Sequence, residues 1–382
     1  MQNKYNIKDY GLEGAVEYHY GQFPPKSLDY EKLINPLGSA ASAIAKYDAA
    51  LNNLHNKQLL LAPLKNKEAV ISSRIEGTVA TLDELLTFDA YISDKDDTKE
   101  QQIYRNEIIE VHAYTRAISH AFKRMSEGLP ISSRLIREAH DRMLFLGRGA
   151  DKQPGKFKLE QNFIADKTQK KILFVPISAD KLEDGVKNLE NYINDPVPNP
   201  LLATAISHAE FEALHPFKDG NGRIGRMLIT LTMWDKHLIE GPYFYISGYF
   251  ENHREEYIER LRRISSNGEW TEWCIFFLEA LANQANENIE TTQKVSSLYD
   301  KMKERFREAL ASQWLFHALD FVFERPVFST TQFKLRSGIP NQTASRFTKA
   351  LAENGLLKVV IPGAGRRPTL YSFEPLLEIV RG

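Results

Sequence analysis

The strongest patterning along the chain is helical. Leu201, Leu202, Ile206, Ala209, Ala213 and Leu214 recur at roughly the helical period, predicting a helix that ends at His215, where Pro216 disfavours helical backbone. Ile224, Met227, Leu228 and Leu231 repeat at i, i+3, i+4, i+7, so a second core-facing helix is expected to begin near Gly222. Helix-period segments also occupy residues 39–125 and 133–147, interrupted by the acidic stretch Asp94 to Glu100, expected as a solvated loop. Glu269 to Asn288 and Val295 to Phe323 are two further amphipathic runs, with Trp270, Trp273, Phe276 and Phe277 expected in the core. Two short apolar runs, Gln161–Ala165 and Ile172–Pro176, flank the polar turn Asp166 to Lys171 and predict a β-hairpin. Near the C-terminus a short helix over Thr331–Arg336, a turn at Gly338 and a helix capped by Asn341 and running to Asn354 are expected, with Ala344, Phe347 and Leu351 buried. Strands over Leu356–Ile361 and Thr369–Phe373 follow, so the chain is expected to be mainly α with small β elements.

The connection between the first two helices carries the densest chemistry. Residues 215–226 run His-Pro-Phe-Lys-Asp-Gly-Asn-Gly-Arg-Ile-Gly-Arg. His215 titrates near neutrality and can take a proton from a hydroxyl. Asp219 is a hard oxygen donor suited to Mg²⁺, which uses one or two carboxylates together with substrate phosphates. Gly220, Asn221 and Gly222 fall at a helix N-terminus, where amides without intrahelical partners and the helix dipole favour phosphate. Arg223 and Arg226, three apart, can add charge-assisted bonds to phosphate oxygens. Gly220, Gly222 and Gly225 also spell Gly-x-Gly-x-x-Gly, but a helix rather than a strand precedes them, which argues against a dinucleotide fold. His208 is expected as a core or supporting histidine. No His-Glu-x-x-His occurs and Cys274 is the single cysteine, which argues against a zinc site.

On these residues the chain resembles the Fic (filamentation induced by cAMP) family, whose signature His-Pro-Phe-x-[Asp/Glu]-Gly-Asn-Gly-Arg-x-x-Arg it matches at every fixed position. The resemblance implies a helical Fic core that transfers AMP from Mg-ATP to a Ser, Thr or Tyr hydroxyl of a protein, itself included. It makes His215 the base, Asp219 the Mg²⁺ ligand, Gly220, Asn221 and Gly222 the anion hole, Arg223 a phosphate contact and Arg226 the γ-phosphate contact. A phosphate-transferring branch carries lysine where this chain has Gly222, so AMP transfer is favoured. Removal of AMP, another phosphoryl-type transfer, or a nucleotide-sensing regulator stay open as alternatives.

Residues 72–77, Ser-Ser-Arg-Ile-Glu-Gly, are similar to the family's inhibitory pattern, which implies that Ser72, Glu76 and Gly77 belong to an inhibitory helix whose Glu76 competes for Arg226. Thr81 and Glu84 form a capping-box pattern just after it. The predicted hairpin corresponds to the family's flap, making Asn162, Phe163, Ile164, Phe174 and Val175 target-docking positions by strand addition. Asn252 and Tyr257 are implied for the adenosine pocket, although many relatives carry Tyr-Tyr where this chain has Glu256-Tyr257. A core role fits Tyr257 equally well.

Composition narrows the setting. The 382 residues suggest two or three domains, and 42% hydrophobic content is enough for a sizeable core. The expected division is 1–115 with an inhibitory helix near 66–77, 116–290 with the flap near 161–176 and the active loop 215–226, and 291–382. One cysteine excludes a disulfide framework. There is no apolar run of about 18 residues and no charged-then-apolar leader, so a cytoplasmic enzyme without membrane contact is expected. The net charge of −1 conceals an asymmetry: Pro326 to Gly382 carries eight Lys/Arg against three Glu. The order of elements there resembles a winged helix, with Gln342, Ser345, Arg346 and Lys349 on the outer helix face and Arg366 and Arg367 on the wing. DNA contact, protein contact and homodimer formation all remain open partners for this segment and chain.

Overall fold

Local sequence rules account for many element boundaries in the computed structural model, which describes residues 11–54, 56–91, 105–145, 149–166, 170–365 and 367–382. The expected acidic loop at Asp94–Glu100, part of the hairpin turn (167–169) and the wing residue Arg366 lie outside the described residues. In chain order the elements are β1 (Val16–Glu17), α1 (Tyr30–Asn52), α2 (Lys57–Ile75), α3 (Leu82–Tyr91), α4 (Asn106–Ser126), α5 (Ser133–Leu144), β2 (Ile164–Asp166) and β3 (Lys171–Val175). Next come α6 (Leu182–Asn194), α7 (Pro200–Leu214), α8 (Asn221–Asp235), α9 (Ser247–Asn252), α10 (Arg254–Asn267) and α11 (Trp270–Leu310). The last are α12 (Leu315–Glu324), β4 (Val327–Ser329), α13 (Thr330–Arg336), α14 (Asn341–Glu353), β5 (Lys358–Ile361), β6 (Leu370–Ser372) and α15 (Glu374–Arg381). The mainly helical expectation holds.

The described chain groups into two compact units, one from residues 1–45 and 116–284, the other from 46–115 and 285–382. This differs from the expected division, which kept 1–115 together. The reason lies in long-range bonds that no local pattern announces. In the first unit β1 pairs parallel with β3, Val16 opposite Phe174, giving a sheet of order β1-β3-β2. Next to it, Tyr18 donates its hydroxyl to Glu210 Oε1 at 2.7 Å, and His19 Nε2 lies 2.9 Å from Glu210 Oε2. The N-terminal segment is thereby fixed to α7.

Helices α7 and α8 form the centre of that unit. All but two residues of each are buried, as expected for helices enclosed on every side. Helix α7 starts cleanly because Asn199 Oδ1 accepts from the amides of Leu201 and Leu202, with Pro200 in the first helical position. Helix α6 packs on α7 and α5 on α8. The indole of Trp273 donates to the Ala205 carbonyl at 2.8 Å, seating α11 on α7, and Trp270, Trp273, Phe276 and Phe277 are all buried.

In the second unit α2 packs against α12 and α15, and α3 against β4. Helix α2 begins at Lys57, ahead of the expected residue 66. It ends in a Schellman motif: Gly77 at φ 87 donates to the Arg74 carbonyl, and Thr78 to that of Ser73. The capping box follows, with the Glu84 amide bonded to Thr81 Oγ1 at 3.2 Å and the Thr81 amide to Glu84 Oε2 at 2.8 Å. The two amphipathic runs expected at 269–288 and 295–323 are instead one 41-residue helix, α11, and a separate α12. The break comes at Ala311, whose φ of 41 is left-handed; the polar stretch before Val295 is helix-compatible and does not interrupt α11.

Strands β4, β6 and β5 form an antiparallel sheet in that order. β4 had no sequence counterpart in the expected strand pair. Ala344, Phe347 and Leu351 are buried along α14. Asn341 does not cap this helix: Pro340, at φ −53 and ψ 136, takes the cap position without a side-chain bond, and Asn341 is already helical.

Candidate active site

The turn from α7 to α8 is built to change chain direction within six residues while exposing amides. His215 closes α7 with its amide bonded to the Phe211 carbonyl, then adopts left-handed backbone at φ 44 and ψ 61. Pro216 forbids helix continuation. Gly220 at φ 78 caps α8 in left-handed backbone, a conformation that favours glycine, and a Cβ there would also have to displace the tip of Met143. The first bond of α8 runs from the Ile224 amide to the Gly220 carbonyl, leaving the amides of Asn221, Gly222 and Arg223 ahead of it at the positive end of the dipole.

Arg223 and Arg226 are buried along this helix, 4% and 2% exposed, so two cations are held in a largely desolvated setting. Arg223 lies 3.8 Å from Asp219 Oδ1. Asp219 stays about half exposed, and the same oxygen accepts from the Gly220 amide at 2.6 Å. The side chain of Asn221 turns inward: its Oδ1 accepts from the Phe217 amide and its Nδ2 donates to the Phe217 carbonyl, both at 2.8 Å. With its side chain so engaged, Asn221 has its backbone amide to offer an anion.

Two supports escaped the sequence reading. His140 of α5 stacks on Phe217 with ring centroids 3.7 Å apart. Its Nδ1 accepts from the Gly155 amide at 2.9 Å, so Nε2 carries the proton donated to the Asp219 carbonyl at 2.9 Å. Burial first, then the charge of Arg223, pushes His140 down to about 4, and the ring is neutral at pH 7. A polar residue on the buried stripe of Ile136, Ala139 and Met143 was the available signal. The second support is Lys158, 2% exposed, whose ammonium donates to the Leu214 carbonyl at 3.1 Å and to Asn162 Oδ1 at 2.7 Å. No periodic pattern marks Lys158.

The other sequence-derived positions divide. His208 is buried and pushed down to about 3 by burial, then by the charge of Arg226. Being neutral, it donates from Nδ1 to the Gly225 carbonyl at 3.1 Å and accepts the Tyr257 hydroxyl on Nε2 at 2.8 Å. Tyr257 is itself 4% exposed and stacked on Phe250, so its ring lies in the core, whereas Asn252 is exposed at the end of α9. In the hairpin, Phe163, Ile164 and Val175 are half-buried, and Phe174 is buried. Asn162 precedes β2 and directs its amide to the His215 and Phe217 carbonyls at 2.9 and 3.0 Å. In the second unit, Ser72 is buried, Glu76 is the exposed C-cap of α2, and Gly77 is exposed.

Among the described residues no cluster of three or more His, Cys, Asp or Glu side chains could hold a metal ion alone. The residues present fit Mg²⁺ in its nucleotide-bound form: a half-exposed carboxylate beside an anion-binding turn, with phosphate and water supplying the remaining ligands. Among the described residues no helix is long and apolar enough to cross a membrane.

Comparisons with known proteins bear on the family and the fold. Residues 34–123 match the Fic/DOC family N-terminal pattern and residues 130–233 the Fic/DOC family pattern. A probable protein adenylyltransferase of Aquifex aeolicus is 26% identical over 156 residues, a match spanning 41% of this chain and 43% of that protein. The fold is similar to the crystal structure of a Fic family protein from Desulfovibrio desulfuricans, with TM-score 0.57 at 20% identity, covering 92% of this chain and 98% of that one. A Fic domain-containing signalling protein from Bacteroides thetaiotaomicron gives TM-score 0.53 at 17% identity, over 68% of this chain and 97% of its own.

Proposed function

The chain belongs to the Fic/DOC family, and on that premise we propose that it is a protein adenylyltransferase, moving AMP from ATP to a Ser, Thr or Tyr hydroxyl of a protein. The observation that carries this reading is the left-handed His215 directly ahead of the helix N-terminus that holds Gly220 to Arg226. His215 takes the proton of the target hydroxyl as its oxygen attacks the α-phosphorus. The bond from that phosphorus to the pyrophosphate oxygen breaks, and its electron pair leaves with pyrophosphate. Amides at the start of α8 and the guanidinium of Arg223 hold phosphate oxygens, and Arg226 holds the γ-phosphate. Asp219 would hold Mg²⁺, which when bound neutralises charge on the leaving phosphates.

The reading extends to Glu76 as an inhibitory carboxylate that competes with the γ-phosphate for Arg226, supported by the Ser72 to Gly77 pattern and the terminal position of Glu76 on α2. Hairpin positions Phe163 and Ile164, at and just before the edge strand β2, present the target segment, with Asn252 on the adenosine side. Intact-mass analysis of target and enzyme after incubation with ATP tests the chemistry. One adenylate per modified site, with pyrophosphate released, is the expected result; addition of bare phosphate, or loss of a pre-existing adenylate, contradicts it.

A second reading concerns the basic C-terminal segment. Gln342, Arg346 and Lys349 are exposed on α14, and Arg367 is exposed in the connection between β5 and β6. These charges on a helix beside a β-hairpin support duplex DNA contact in the manner of a winged helix. Gel shifts of the full chain at two salt concentrations are expected to show binding that weakens steeply with salt and is reduced in Arg346→Ala. No shift at low salt removes this reading.

A further inference from the structure

Four consecutive backbone carbonyls where α7 turns toward α8, those of residues 214–217, are each met by a donor from one short upstream segment, with a further donor from Asn221 at Phe217. Lys158 Nζ donates to Leu214 O, Asn162 Nδ2 to His215 O, and the Lys158 amide to Pro216 O at 2.8 Å. Phe217 O accepts from both Asn162 Nδ2 and Asn221 Nδ2. Lys158 and Asn162 are in turn bonded to each other, so two side chains and one amide cover four consecutive carbonyls. We propose that Lys158 and Asn162 are positioning residues for AMP transfer: they select the left-handed backbone of His215 and thereby set where its imidazole meets the target hydroxyl.

Pro216 already disfavours right-handed helix at His215, so the competing conformations are left-handed and extended. Left-handed backbone is a minority state for a residue with a Cβ, and something outside the residue has to favour it. An extended His215 would turn its carbonyl, and those on either side, away from the fixed donors of residues 158 and 162. Lys158, Leu214 and Phe217 are buried and Asn162 and His215 half-buried, so the separation would leave poorly solvated polar atoms without partners and is disfavoured. The lysine suits this task in either charge state. Burial pushes it down to about 7, and its two side-chain acceptors need only the two N–H groups that a neutral amine retains.

The inference rests on His215 being the base, and its test separates the two ideas. In full-length protein carrying ¹³C-labelled histidine, the Cα and Cβ shifts of His215 report its backbone conformation without any turnover. Lys158→Met is expected to move these shifts toward extended values. It should also lower kcat by up to about 10²-fold, the scale of a 1 Å misplacement, with KM for ATP changing by no more than about 2-fold. Lys158→Arg, which keeps donors at that place, is expected to restore most of both. If Lys158→Met does not fold, Asn162→Ser removes the donors to His215 and Phe217 and carries the same readouts. Unchanged His215 shifts overturn the proposal, as does loss of activity through KM alone. Should the protein fail to transfer AMP, the adenylyltransferase reading falls, while the shift measurement still decides whether the two residues set His215.

Discussion

Replacing His215 with alanine is expected to lower kcat for AMP transfer by about 10²- to 10⁴-fold, the usual contribution of a positioned general base. Binding of ATP should change little. The groups assigned to the nucleotide are the start of α8, Arg223 and Arg226, and the Asn221 clasp on Phe217 and the His140 bond to Asp219 hold that turn without the imidazole. Radiolabelled AMP incorporation, alongside ATP affinity measured by calorimetry, separates the two effects. Loss of ATP affinity equal to the loss of rate would assign His215 to binding, and retained transfer would remove it from the chemistry altogether.

Glu76→Gly is expected to accelerate self-adenylylation by about 5- to 150-fold relative to the unmodified chain, the range spanned by a typical coupling between an inhibitory group and a site. The substitution is well suited to the question because the bonds that close α2 run between backbone groups. The α2 terminus is closed by backbone bonds from Gly77 to Arg74 and from Thr78 to Ser73, which a glycine at 76 leaves in place. Thermal unfolding should therefore shift little, and a gain in rate cannot be laid to general loosening. The time course of intact mass in ATP is the measurement. Equal rates for the two proteins would sink the inhibitory role. Arg226→Ala supplies the complement: with the shared partner gone, the Glu76 substitution should no longer accelerate transfer.

The candidate site was legible in the sequence where its residues are contiguous. His215 to Arg226 is a single run in which each residue type has a stated purpose, and the flanking helical periods placed it between two helices, as found. The Gly77 terminus and the Thr81–Glu84 capping box were legible for the same reason, since capping is decided within a few residues. The strand β1 was not, because two residues pairing with a strand more than 150 positions away leave no period to detect. Asn341 illustrates a local rule that lost to a neighbour: Pro340 already provides the extended backbone that a capping residue adopts.

By itself, the sequence determined the mainly helical class and the two central helices, and it marked the residues of the turn between them and the Ser72 to Gly77 motif, all of them matters of spacing along one segment. Tertiary structure alone decided which side chains hold that turn in place. His140 from α5, and Lys158 and Asn162 from one segment ahead of β2, reach it and bond to backbone carbonyls, and Tyr18 and His19 meet Glu210 across almost 200 residues. A carbonyl is the same in every residue, so no letter of the sequence at 214–217 reveals who donates to it; only the folded path of the chain brings the donor there.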